Sequence, residues 1–239
     1  MSQDSGAGWE RMWSGGLAPG QAFDAAKAES ALLALLPKSS TSEGDTSTGL
    51  ETMGKLDNLA GKTAFVPGCG RGYAVASLAQ LGGCASVIGL EVSTTAKAAC
   101  DSYLTEVGAD VAGASCEVGD FFTHQGQYDL VYDCTFLCAI PAERRLEWVA
   151  QMAKLLKPGT GELVTLIFPV KEGEPGDPAD GEVGNGPPFR MSPRLVEQLL
   201  LTPAGHFEKI ACERVPGAMV TRPFAGEYIA RWKRTEKPS

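Results

Sequence analysis

Between Thr63 and Val75 the chain reads TAFVPGCGRGYAV. A short apolar run empties into Gly68, Gly70 and Gly72, and residues compatible with a helix follow. A strand that feeds a glycine turn and a helix is a place where the backbone can approach a ligand closely, since glycine carries no side chain. Carboxylates recur beyond it. Glu91 ends the run SVIGLE, Asp120 follows EVG, and Asp133 ends YDLVYD. An acid about twenty residues past such a turn can accept the hydroxyls of a ribose.

Three kinds of glycine loop compete for this spacing. A triphosphate loop needs GxxxxGK[ST], and no Lys-Ser or Lys-Thr follows these glycines. A dinucleotide loop needs GxGxxG or GxGxxA; counted from Gly68 the last position is Tyr73, and counted from Gly70 it is Val75. What remains is GCGRG, a GxGxG turn that suits a nucleoside ligand without a pyrophosphate, such as S-adenosylmethionine (AdoMet). On that reading Gly68, Gly70 and Gly72 lie along the methionine part, Glu91 takes the ribose hydroxyls, Asp120 meets the adenine amino group, and Asp133 stands beside the methyl group. Four strand ends would then face one crevice, where open parallel sheets bind ligands. Taken singly, Glu91 and Asp120 also read as solvated strand ends; their joint spacing is what favours AdoMet. A nicotinamide dehydrogenase is the remote alternative.

The positioning elements follow from the rhythm of the chain. Apolar runs at 63–67, 86–90, 111–118, 128–133 and 162–168 alternate with helical stretches at 73–81, 94–107 and 142–157, which is the pattern of βα units on a parallel sheet. Residues 192–201 predict a helix with Ser192 as cap and Pro193 at its first position. Segments 207–215 and 226–233 predict an antiparallel hairpin at the sheet edge. Trp9 and Trp13 are four apart and can share a helical face, and a further helix is expected over 23–36, stopped by Pro37. The Ser/Thr/Gly-rich stretch after it and the Gly/Pro/acid-rich stretch 170–190 read as loops. One domain over 1–239 is expected, with an N-terminal segment 1–37, a flexible loop 38–60 and a core 61–239.

Composition narrows the partners. The 239 residues are 44% hydrophobic and 21% charged, with a formal net charge of -8. That balance, with no basic stripe, argues against nucleic acid or an anionic membrane as partner. The seven cysteines show no CxxC pair and no zinc spacing with His124 and His206, so no metal is expected. A polar start and the lack of a long apolar run predict a cytoplasmic protein with reduced thiols.

With these residues in view, the chain resembles the halide/thiol methyltransferases of plants, algae and fungi, which belong with the thiopurine S-methyltransferases. VPGCGRG carries Pro67 where most AdoMet enzymes have an acid, a mark of this family. IGLEVS is similar to its ribose motif. The stretch from YDLVYDCTFLCAI to LVTLIFPV, the segment GNGPPFRMSPRLVEQLL, and WERMW followed by GLAP resemble further family segments. The likeness covers most of the chain outside roughly 38–58. It implies a Rossmann-like α/β fold with a seven-stranded, mostly parallel sheet, helices on both faces and an N-terminal helical lid. It also implies AdoMet as cofactor, Trp9 and Trp13 as lid residues near it, and an acceptor side lined by residues 133–138, including Cys134 and Thr135, together with Phe168. Two positions depart from the plant pattern: Cys134 and Phe168 stand where many relatives carry tyrosines. Phe23 is an approximate substitute for a third lid tryptophan.

The chemistry implied is one in-line displacement, in which the protein aligns donor and acceptor and excludes water. Thiocyanate, hydrosulfide, iodide and bromide are anions that need no base, and no Ser-His-Asp or Cys-His set is visible. An aromatic or heterocyclic thiol as acceptor is the alternative in the same class; a non-catalytic AdoMet-binding protein is the alternative outside it. Cys134 reads as a small residue that widens the pocket, and Arg222 as half of a surface salt bridge.

Overall fold

Most of the apolar runs are apolar throughout because a parallel strand covered on both faces has no solvent side; the run at 111–118 differs, with Ser115, Glu117 and Val118 exposed. They form β1 (Thr63–Pro67), β2 (Ser86–Glu91), β3 (Ala114–Val118), β4 (Leu130–Cys134) and β5 (Glu162–Val170), followed by β6 (Phe207–Arg214) and β7 (Gly226–Arg234). In the computed structural model, which describes residues 4–37, 49–56, 58–170, 186–222 and 225–237, they make one seven-stranded sheet in the order β3-β2-β1-β4-β5-β7-β6. Of the expected loops 38–60 and 170–190, residues 38–48, 57 and 171–185 lie outside the described residues, while Glu51–Met53 forms a short turn with Leu50, Met53 and Leu56 buried. By contacts the chain divides into two compact units, Met1–Ser42 with Leu56–His124, and Glu43–Lys55 with Gln125–Ser239.

In the first unit β1 pairs parallel with β2 from Thr63↔Ser86 to Pro67↔Leu90, and β2 pairs parallel with β3 from Val87↔Ala114. Ala64, Phe65 and Val66 are all buried. Helices α1 (Asp4–Ser14), α2 (Ser30–Leu35), α3 (Tyr73–Gln80) and α4 (Thr94–Glu106) belong to this unit. The last two match the helical stretches closely. The helix expected over 23–36 is reduced to α2, because the Asp24 side chain accepts the N–H groups of Gly20 and Ala26. Ala22 and Ala26 take φ of +50° and +56°, and those angles cannot continue a helix. β3 starts three residues later than its apolar run, at Ala114, since Gly113 turns the chain at φ +90°.

In the second unit β4 and β5 pair parallel. β7 then runs antiparallel to both β5 and β6, so the expected hairpin forms, with β7 inside and β6 at the end of the sheet order. Helices α5 (Arg145–Leu155) and α6 (Pro193–Leu200) cover this unit. Trp148 and Trp232 are fully buried, and the Trp232 indole N–H donates to Thr165 Oγ1 at 3.1 Å, which satisfies its one polar atom. Among the described residues no helix is long and apolar enough to cross a membrane.

Ser192 caps α6 as expected, its Oγ accepting the Leu195 N–H at 3.1 Å. Ser192→Ala should therefore lower unfolding free energy by about 1 kcal/mol, read by urea denaturation of the full chain.

Candidate functional site

In the first unit the turn after β1 holds Gly68, Gly70 and Gly72 at φ +57°, +56° and +85°. Three left-handed residues in five form a tight turn that side chains would oppose. A Cβ on Gly72 would also come within 2.5 Å of Cys100 Sγ. Above Gly70 lies the ring of Trp13, whose Cζ2 stands 3.7 Å from where a Cβ would be.

Glu91 ends β2 and its Oε1 accepts the Gly70 N–H at 2.6 Å. The side chain is buried, and burial pushes its pKa up to about 7 against the opposing pull of the Gly70 N–H. The Val92 and Ser93 N–H groups act on it in the same direction as the Gly70 N–H, so this carboxylate sits at a strand end among backbone donors, where a hydroxyl group can also be accepted. The β2 and β3 ends are joined by a Gly119 N–H to Glu91 C=O bond of 2.8 Å. Asp120 follows at once; it is exposed, and its Oδ1 accepts the Phe122 N–H at 2.9 Å, which caps the short turn Phe121–Thr123.

The N-terminal segment is clamped onto this turn by residues that the spacing argument did not single out. Arg71, inside GCGRG, donates from Nε to Asp24 Oδ2 at 2.9 Å and from Nη2 to the Leu17 carbonyl at 2.9 Å, and its guanidinium lies 5.4 Å from the Trp13 ring centroid. The Tyr73 hydroxyl donates to Asp24 Oδ1 at 3.0 Å. Burial alone would raise the Asp24 pKa, but the Ala26 N–H and the Arg71 guanidinium outweigh it and hold it low. Trp9 and Trp13 both meet Phe23 edge-on, at 5.2 and 5.8 Å between centroids, so Phe23 does complete an aromatic trio.

A second tether comes from Glu10, between the two tryptophans on α1. Its carboxylate accepts from Ser93 Oγ at 2.7 Å, from the Thr95 N–H at 3.2 Å, from Thr94 Oγ1 at 3.3 Å and from the Thr95 hydroxyl. It thus sits at the N-terminus of α4, directly after the β2 end. Those hydrogen bonds, from Thr95 first, bring its pKa down to about 2. Cys69, Cys100 and Cys116 also converge here, although their linear spacing suggested nothing.

In the second unit Asp133 is buried and its carboxylate is heavily engaged. Oδ1 accepts the N–H groups of Phe136 and Leu137 at 3.2 and 3.1 Å, and Oδ2 accepts the Trp148 indole N–H at 2.9 Å. Burial pushes its pKa up to about 6. Its observed work is thus to shape the loop that carries Cys134 and Thr135, where Thr135 takes φ +58°. Cys134 is half-buried, and Cys138 Sγ lies 3.2 Å from the Thr135 carbonyl. Phe168 is buried, with the Arg222 guanidinium 5.3 Å from its ring centroid. Arg222 is itself buried beside Glu227, whose Oε1 lies 3.6 Å from Arg222 Nη1. The surface salt bridge expected for Arg222 is therefore corrected to a buried one, because Glu227 turns inward to accept the Thr221 and Arg222 N–H groups at 3.1 Å each.

Comparison with known proteins gives the family and the fold. The thiopurine S-methyltransferase family model matches residues 50–212. A probable thiol methyltransferase 2 of Arabidopsis thaliana is 33% identical over 98% of this chain and 88% of its own. Thiocyanate methyltransferase 1 of Brassica oleracea is 31% identical over 95% of this chain and 84% of its own. Among solved structures, the magnesium protoporphyrin IX methyltransferase of Synechocystis PCC 6803 with bound SAM superposes with a TM-score of 0.57 at 19% identity, over 74% of this chain and 72% of that one.

The two glutamates predict opposite pH behaviour of the ligand-free chain. Glu91 is raised from 4.5 to about 7, so its share of stability is intact below pH 4.5 and is lost as pH rises to 7, about 3 kcal/mol in all. Glu10 is lowered from 4.5 to about 2, so its share is intact above pH 4.5 and is lost as pH falls toward 2. Urea unfolding across pH should show the first slope vanish in Glu91→Gln and the second in Glu10→Gln.

Proposed function

Because the chain belongs to the thiopurine S-methyltransferase family, we propose that it transfers the methyl group of AdoMet to small sulfur nucleophiles: thiols, hydrosulfide and thiocyanate, with iodide and bromide taken by the same route. Membership makes it an AdoMet-dependent methyltransferase; the acceptors are our reading, as is a cytosolic setting. The observation that carries the reading is Arg222, a buried cation over the face of Phe168. Its guanidinium, although paired with Glu227, stands beside that ring; a cation there favours an acceptor in its anionic form, and an anion needs no general base.

The residues present fit the cofactor. The left-handed glycines leave the turn without side chains, and the Glu91 carboxylate at the end of β2 is read as the acceptor of a pair of ribose hydroxyls. Asp120 is read as the adenine contact. Asp133 is read as a neighbour of the methyl group through the loop it shapes. When bound, AdoMet supplies a methyl group on a sulfonium, which asks for no acid from the protein. Trp9, Trp13 and Phe23 are read as a lid whose ring faces favour that cation, by about 0.5–2 kcal/mol each where water is excluded. Cys134 and Thr135, with Phe168, are read as the acceptor lining. Without a tyrosine hydroxyl at 134 or 168 this lining has only the Cys134 thiol and the Thr135 hydroxyl as polar groups, with Arg222, paired to Glu227, as the cation beside Phe168. Burying a small anion there without a cation would be costly.

Purified chain with AdoMet should give methyl thiocyanate, methanethiol and methyl iodide in separate headspace vials. Product from thiophenol alone would replace this reading with the larger-thiol one, and cofactor binding without any product would replace it with a non-catalytic binder. Glu91→Ala should abolish AdoMet binding by calorimetry, and unchanged affinity would remove Glu91 from the site.

Arg222→Met should raise KM for thiocyanate about tenfold, the loss of one charge-assisted contact, and leave AdoMet affinity unchanged. Arg222→Lys should recover part of the loss.

A further inference from the structure

The three cysteines beneath the glycine turn come from three separate elements: Cys69 from the turn itself, Cys100 from α4 and Cys116 from β3. Their sulfurs all lie within 4.8 Å of one another, and Cys69 Sγ is 3.6 Å from Cys116 Sγ. None is in a disulfide. Two glycines leave the space that the sulfurs occupy: a Cβ on Gly72 would stand 2.5 Å from Cys100 Sγ, and one on Gly89 would stand 2.6 Å from Cys69 Sγ. Cys100 and Cys116 are buried, whereas Cys69 is partly exposed. Among the described residues no histidine or carboxylate joins the trio at that range.

We propose that Cys69, Cys100 and Cys116 form a binding site for trivalent arsenic, taken up as arsenous acid. Three sulfurs around one centre with bonds of about 2.3 Å, the length of a zinc–thiolate bond, stand roughly 3.5–4 Å apart, so the trio needs only a small contraction. A soft thiophile is what an all-thiol set selects. Zinc in a structural site takes four protein ligands, and here there are three. Trivalent arsenic is satisfied by three and keeps a lone pair in the fourth direction. The uptake balances: As(OH)3 and three thiols give three As–S bonds and three waters. Each thiol proton leaves with one hydroxide, and arsenic stays trivalent, so no oxidant is needed. The product is neutral, which suits a buried place where net charge is costly, and Glu91 already puts a carboxylate next to Cys69 and Cys116. Because Cys69 lies between Gly68 and Gly70, occupancy would pin the turn.

The test is native mass spectrometry of the reduced full chain with arsenite, alongside iodoacetamide footprinting. The expected result is one arsenic per chain with loss of three hydrogens, and protection of Cys69, Cys100 and Cys116 together while Cys212 stays reactive. Cys116→Ser and Cys100→Ala should each weaken binding at least tenfold, and Cys212→Ser should not. No arsenic bound, loss of only two hydrogens, protection at Cys134 and Cys138 instead, or binding that survives Cys116→Ser would each overturn the proposal. Footprinting of the unmutated chain decides the matter even where a variant fails to fold.

Discussion

One carboxylate, that of Asp24, receives the N–H groups of Gly20 and Ala26, the Arg71 guanidinium and the Tyr73 hydroxyl. Hydrogen bonds to a charged group are worth roughly 1.5–3 kcal/mol each, and the cost of leaving buried donors unpaired is of the same order. The position of the N-terminal segment and the shape of the glycine turn are therefore one problem with one solution. Arg71 belongs to the turn and Tyr73 opens α3, while Gly20 and Ala26 belong to the segment. Phe23 is carried to the two tryptophans by the same bend, and Trp13 is brought over Gly70. A GxGxG turn alone would be a generic feature. Here its second variable residue ties it to an aromatic cover.

The second unit solves a different problem with the same kind of group. Asp133 turns both oxygens toward donors of its own unit, two backbone N–H groups and the Trp148 indole. This fixes the loop after β4, including the left-handed Thr135, from α5. Arg222 and Glu227 make a buried pair next to Phe168. Buried charges are expensive unless paired and hydrogen-bonded. This pair meets that condition, since Glu227 also accepts the Thr221 and Arg222 N–H groups.

The sequence was most legible where local rules suffice. The run TAFVP is a strand over the same five residues, and Ser192 caps the helix that Pro193 opens, because burial on both faces and capping are short-range. The AdoMet-like spacing of Gly68, Gly70, Gly72 and Glu91 was visible for the same reason. What escaped was long-range. Glu10 caps a helix 83 residues further on, and nothing in WERMW announces that. Asp24 lies in a stretch whose periodicity reads as helix, yet its own side chain competes with the helix for backbone N–H groups. The cysteine trio converges only because parallel strands bring distant residues to one end of a sheet. Acceptor preference was least legible, since on the proposed reading it rests on Arg222, whose burial beside Glu227 no local pattern announces.

The strand order also bears on how the sheet comes apart. β6 touches the sheet only through β7, whereas β7 pairs with β5 as well. β6 therefore cannot stay docked if β7 leaves, and the amides of both should exchange with solvent as a single cooperative unit, the partly independent kind of segment in which native-state opening occurs. The short strands β1, β2 and β3, each five or six residues long, are packed by α3 and α4 and would outlast it. The chain thus has a natural seam in time, far along the sequence from its cofactor turn, where breathing need not disturb the turn at all.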